Sequence, residues 1–114
     1  MANYMYLFRR DEATVRSLSP EQMQQTMKKW MGWIDTLKND GHIKQMGERL
    51  DGTGKVVRGR AKAVTDGPYV EVKDCVGGFM LVEAKNVDEA VELSKGCPIL
   101  EIDGTVEVRP IVSM

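Results

Sequence analysis

The sequence predicts one α+β domain: a sheet with two helices, and a hairpin inserted in the middle of the chain. Three observations predict it. Short stretches rich in aromatic and β-branched residues stand at 3–9, 43–50, 79–84 and 105–112. Two stretches of helical periodicity, each opened by a capping residue, lie among them at 20–39 and from 87 onward. At 114 residues the chain has room for one domain, residues 1–114, with core enough to need neither disulfide nor metal.

The first strand, Asn3 to Arg9, sends Tyr4, Tyr6 and Phe8 one way and Met5 and Leu7 the other. Both faces are apolar, so both call for cover. Ser19-Pro20-Glu21-Gln22 starts the first helix: Ser19 caps, Pro20 fits the first turn, and Gln22 completes a capping box. Met23, Met27, Trp30, Met31, Ile34 and Leu37 form its inward stripe, with Trp33 at the margin. Asn39-Asp40-Gly41 ends it.

Ile43 to Leu50 reads as the second strand, and 55–64 as part of a hairpin after the turn Asp51-Gly52-Thr53-Gly54. Tyr69 to Lys73 reads as a short strand, and Phe79 to Ala84 as the central one. Asn86 caps the second helix, whose inward residues are expected to be Val87, Ala90, Val91 and Leu93. Thr105 to Val112 alternates Val106, Val108 and Pro110 against Glu107, Arg109 and Ile111.

This order is the ferredoxin-like β-α-β-β-α-β layout with an inserted hairpin. Two helices cover only one face of its sheet. The other face is expected to carry Tyr4, Tyr6 and Phe8, with Phe79 and Leu81. Leaving it wet would cost several kcal/mol at roughly 25 cal/mol per Å2. A second copy packed sheet to sheet covers it, which predicts a homodimer enclosing a chamber.

Composition excludes several classes. With 42% hydrophobic and 29% charged residues the chain is neither disordered nor fibrous. A net charge of -1 argues against nucleic-acid binding. Cys75 and Cys97 form no CxxC pair and His42 stands alone, so no zinc site is expected. The thiols read as small apolar groups in a reducing cytoplasm. No signal peptide or membrane span is expected near Arg9 and Arg10. No phosphate loop, dinucleotide fingerprint, haem or flavin signature is present, and no cofactor is expected.

The segment Val64-Thr65-Asp66-Gly67-Pro68-Tyr69-Val70-Glu71-Val72-Lys73 resembles the motif of the YCII-related (DGPF) family, with Tyr69 in place of Phe. Gly77-Gly78-Phe79, Asp88-Glu89-Ala90, Cys97-Pro98 and Val106-Glu107-Val108-Arg109-Pro110 follow in the family's order. The resemblance covers nearly the whole chain. It implies a ferredoxin-like protomer that pairs into a dimeric α/β barrel. It also implies an acid/base pair made of a histidine on the first helix and an aspartate in the motif. Asp66 matches that aspartate; the first helix holds no histidine, and His42 lies beyond it. Relatives with this motif are linked to extracytoplasmic-function sigma factors, which implies a regulatory context.

Asp66 is therefore the candidate acid or base. Beside apolar walls a carboxyl can exchange protons near neutral pH. Gly67 admits close approach of a ligand, and Pro68 stiffens the loop. Asp-Gly-Pro is equally a good turn sequence, and both readings stay open. Tyr6, Trp33, Gly67, Pro68, Tyr69 and Arg109 complete the candidate ligand site. Arg109 suits a carboxylate or phosphate, or an ion pair with Glu107. Tyr6 serves equally as a core aromatic. His42 reads as an exposed loop residue and Cys97 as packing. Lys55, Arg58, Arg60 and Lys62 read as a solvated strand edge. Two functions are expected from this sequence: a small-molecule protein, enzymatic through Asp66, or a non-catalytic sensing module with a sigma-factor partner.

Overall fold

Side-chain alternation along the first strand decides which way the sheet faces. β1 (Ala2–Arg10) buries Tyr4, Tyr6 and Phe8 and leaves Met5 and Leu7 half-buried on the opposite face. In the computed structural model, which describes residues 1–67 and 75–113 apart from the side chain of residue 12, β1 is an inner strand. It pairs antiparallel with β5 (Cys75–Ala84) on one side and β6 (Thr105–Pro110) on the other. β2 (Ile43–Gln45) joins the far edge of β5, so the strand order is β2-β5-β1-β6. The molecule is thus a mixed α+β domain with an antiparallel sheet and helices on one face.

α2 (Pro20–Asn39) begins with the expected capping box. Ser19 Oγ accepts from the Gln22 amide at 3.1 Å, and Gln22 Oε1 accepts from the Ser19 amide at 2.8 Å. At about 100° per residue the inward stripe runs through Thr26, Trp30, Trp33 and Leu37. Trp33 is therefore central rather than marginal, Met31 is exposed rather than inward, and Met27, though more than half exposed, stands at the edge of the inward side. The polar Thr26 disguised the true stripe. α3 (Val87–Ser94) shows a similar rotation: Ala90, Leu93 and Ser94 face the sheet, while Val87 and Val91 are exposed. Its Asn86 cap forms as expected, accepting from the Glu89 amide at 2.9 Å. A short helix, α1 (Glu12–Arg16), which the periodicity did not announce, is capped by Asp11. A 3-10 turn (Pro98–Ile102) precedes β6.

The aromatic face of β1 is the covered face, the reverse of the expectation. Tyr6 stacks on Trp33 at 6.1 Å between ring centroids, and Phe8 meets Trp30 edge-on at 5.1 Å. The Tyr6 hydroxyl donates to Ala90 O, and Trp33 Nε1 donates to Leu93 O at 2.9 Å. Those two bonds decide the facing. Tyr and Trp carry polar handles that helix carbonyls can satisfy, whereas Met5 and Leu7 offer none. The open face carries Met5 and Leu7 beside Leu81 and Phe79, their direct cross-strand partners.

Among the described residues β3 (Lys55–Arg58) and β4 (Ala63–Asp66) pair only with each other. The second strand stops at Gln45, shorter than expected, because Gly47 turns the chain with φ +73. The expected strand at 69–73 lies outside the described residues.

Candidate functional site

A bulge in the inner strands opens a large apolar hollow. Phe8 pairs with Gly78, but Arg9 pairs with Val76, so Gly77 has no partner on β1. Its carbonyl accepts instead from the Leu50 amide at 2.9 Å, and Glu48 O accepts from the Phe79 amide at 3.2 Å. Gly78 lets this segment come close: a Cβ there would sit 3.0 Å from Glu48 O. The chain at 46–50 is thereby stitched across the start of β5.

The result is a cavity of about 310 Å3 on the helix side of the sheet. That falls in the small-molecule range. Phe8, Met23, Trp30 and Ile34 contribute apolar walls, and Arg10, Glu48 and Arg49 contribute charge. A polar notch bounded by Arg10, Arg49 and Asp51 shares both arginines with it. Among the described residues, no three His, Cys, Asp or Glu side chains gather closely enough to hold a metal ion.

The residues expected to form the site are scattered. Asp66 ends β4 with its side chain 87% exposed, ion-paired to Lys55. Gly67 is buried beside it, its amide donating to Gly54 O at 3.0 Å. One residue before Asp66 on β4, the Thr65 hydroxyl is enclosed without a hydrogen-bond partner among the described residues. Tyr6 and Trp33 are core residues beneath α3, and burial raises the Tyr6 phenol well above its ordinary range. Arg109 lies on the open face and donates to Glu107 at 3.0 Å, while Arg9 Nε donates to the other Glu107 oxygen at 2.9 Å. Those bonds, Arg109's first, hold the Glu107 carboxyl below its usual range. None of these residues lines the apolar cavity. Pro68 and Tyr69 lie outside the described residues.

Two further residues sit as follows. Cys97 is buried, and desolvation pushes its thiol up to about 12, which suits packing and not nucleophilic attack. His42 is half-buried, not exposed as expected; its Nδ1 donates to Glu83 O at 2.8 Å. Sequence reasoning missed the cavity residues. The one signal that pointed there was the Gly77-Gly78 pair inside a strand, which marks a bulge or a close backbone approach.

The class is thus a small α+β domain, one sheet face under helices and a hollow between the two layers. The chain belongs to the YCII-related domain family, which matches residues 2–114. In fold it is similar to the 5-chloro-2-hydroxyhydroquinone dehydrochlorinase of Burkholderia phenoliruptrix AC1100, solved in complex with 2,5-dihydroxybenzoquinone. That likeness has a TM-score of 0.57 at 16% identity and covers 100% of this chain and 96% of the other. No curated protein matches the chain in sequence. No helix among the described residues is long and apolar enough to cross a membrane.

Proposed function

We propose that this protein binds and acts on a small, largely apolar molecule in the cavity between α2 and the bulged end of the sheet. The observation that carries this reading is the cavity itself: apolar walls, a few charged groups at its edge, and a size that fits a compact organic ligand. The similarity in fold to an enzyme of small aromatic compounds supports it.

The protomer in this reading is ferredoxin-like and cytoplasmic. It works as a homodimer joined sheet to sheet, a dimeric α/β barrel. The faces that meet carry Met5, Leu7, Phe79 and Leu81, with the Arg9–Glu107–Arg109 cluster beside them. Burying that surface supplies the association energy. Asp66 does not line the cavity, so its role as acid or base belongs to a separate place, where a twin subunit closes over the hairpin.

The test is a thermal-shift screen of small aromatic compounds against the wild type and Thr26→Trp, which fills the cavity from α2. Compounds that stabilise the wild type and leave the filled variant unmoved support the reading. Equal shifts in both proteins place binding elsewhere and overturn it.

One observation favours a second reading, a non-catalytic sensing module with a protein partner such as a sigma factor. Val57 and Val64 pair across the hairpin and are both exposed, an apolar patch suited to protein contact. This reading predicts ligand binding without turnover. Release of a product from the bound compound rules it out.

A further inference from the structure

We infer that the cavity selects small monocarboxylic acids: an apolar body against the walls and one carboxylate at the arginine-lined mouth. This rests on the cavity being a ligand site and names the class of ligand it takes.

Two arginines reach the cavity from different elements. Arg10 ends β1 on the same face as Phe8, so its side chain runs toward the cavity and away from the open face where Arg9 bonds Glu107. It passes over Gly77. A Cβ built on that glycine would fall 2.5 Å from Arg10 Nε and 2.9 Å from Cζ. The bulge residue therefore has to lack a side chain for the guanidinium to lie there. Arg49 arrives from the other side, on the stitched segment that bridges Gly78, where a Cβ would come within 3.6 Å of the Arg49 Cα. Gly77 thus makes room for the Arg10 guanidinium, and Gly78 for the backbone of the segment that carries Arg49, whose atom nearest such a Cβ is Glu48 O at 3.0 Å.

The charge balance points the same way. Among the described residues Arg49 makes no ion pair, although Glu48 lines the same cavity. On the notch side, Asp51 Oδ1 is engaged by the Thr53 amide at 3.1 Å and by its hydroxyl. Of the charged residues that line the hollow or the notch, Arg10, Glu48, Arg49 and Asp51, Arg49 is the cation that the described residues leave without an ion pair, and Glu48 is the acid that lines the apolar side. A guanidinium beside apolar walls favours a planar anion that accepts two N–H bonds at once, and a carboxylate is such an anion. The hollow behind it has room for a phenyl-sized body but few polar groups to satisfy a second charge.

The experiment uses three probes on one skeleton: phenylacetate, phenylacetamide and phenethylamine, which are anionic, neutral and cationic. Affinities are measured by calorimetry on the full chain, its Arg49→Gln variant and Arg49→Lys. Phenylacetate is expected to bind the wild type at least about tenfold more tightly than the amide. In Arg49→Gln acid and amide bind alike, and Arg49→Lys restores part of the preference. If the amide matches the acid in the wild type, the acid selectivity is overturned while the cavity reading stands. If phenethylamine binds best, Glu48 sets the selectivity and the inference fails. If no probe binds, the cavity reading falls and the inference with it.

Discussion

The Tyr6 hydroxyl donates to the carbonyl oxygen of Ala90, 84 residues away, and this bond ties α3 to the inner strand of the sheet. Tyr6 is fully buried, so the carbonyl has no water to turn to if the hydroxyl is removed. Tyr6→Phe is expected to cost about 1–2 kcal/mol, read as a lower urea midpoint with an unchanged slope. Because Tyr6 does not line the cavity, ligand affinity should not move.

Gly47 and Gly77 should respond differently to alanine. Gly47 has φ +73, and a Cβ there would lie 1.8 Å from Phe79 O, a backbone atom that cannot step aside. Gly47→Ala is expected to destabilise by about 2–4 kcal/mol through left-handed strain and overpacking together. At Gly77 the obstacle is the end of the flexible Arg10 side chain. Gly77→Ala should cost less than Gly47→Ala in the same urea titration and still weaken binding of phenylacetate.

The Arg109 and Arg9 hydrogen bonds lower the Glu107 pKa in the folded chain. A carboxyl with a depressed folded pKa adds stability that is present above its unfolded pKa and lost as pH falls through the folded one. The stability difference between wild type and Glu107→Gln should therefore be present at about pH 7 and vanish at about pH 2. Denaturant titrations at the two pH values check it. Glu107 is half-buried at the surface of the sheet, where solvent still reaches it, so added salt should shrink the effect.

Asp66 and Lys55 form a surface pair at the base of the hairpin. Asp66→Asn is expected to change stability by no more than about 0.5 kcal/mol, since such pairs contribute little. With Asp66 as acid or base of the dimer, the same change abolishes turnover while leaving the dimer intact, and ligand binding in the cavity, which Asp66 does not line, does not move. Unfolding instead would make Asp66 a turn residue. Calorimetric unfolding and light scattering, run beside an activity assay, separate the outcomes.

Local signals carried the fold far. The Ser19–Gln22 capping box, the Asn86 cap and the alternation of β1 each rest on neighbours in sequence, and each formed as expected. The facing of β1 was not legible, because Tyr4-Tyr6-Phe8 and Met5-Leu7 are both apolar. Long-range bonds to Ala90 and Leu93 chose between the two faces. The inward position of Trp33 was hidden by Thr26, a polar residue in an apolar stripe. The cavity was illegible for a different reason. It arises where a register slip at Gly77 meets a distant segment, 46–50, and no local pattern encodes that encounter.

The most direct test of the central claim is a methionine-methyl NMR titration with phenylacetamide, a neutral probe. Met23, Met27, Met46 and Met80 line the cavity, whereas Met5 lies on the open face of the sheet and Met31 on the exposed side of α2. Saturable shifts of the first four methyls, with Met5 and Met31 unmoved, are the expected result. Shifts confined to Met5, or none at any concentration reached, would contradict a ligand site between α2 and the sheet.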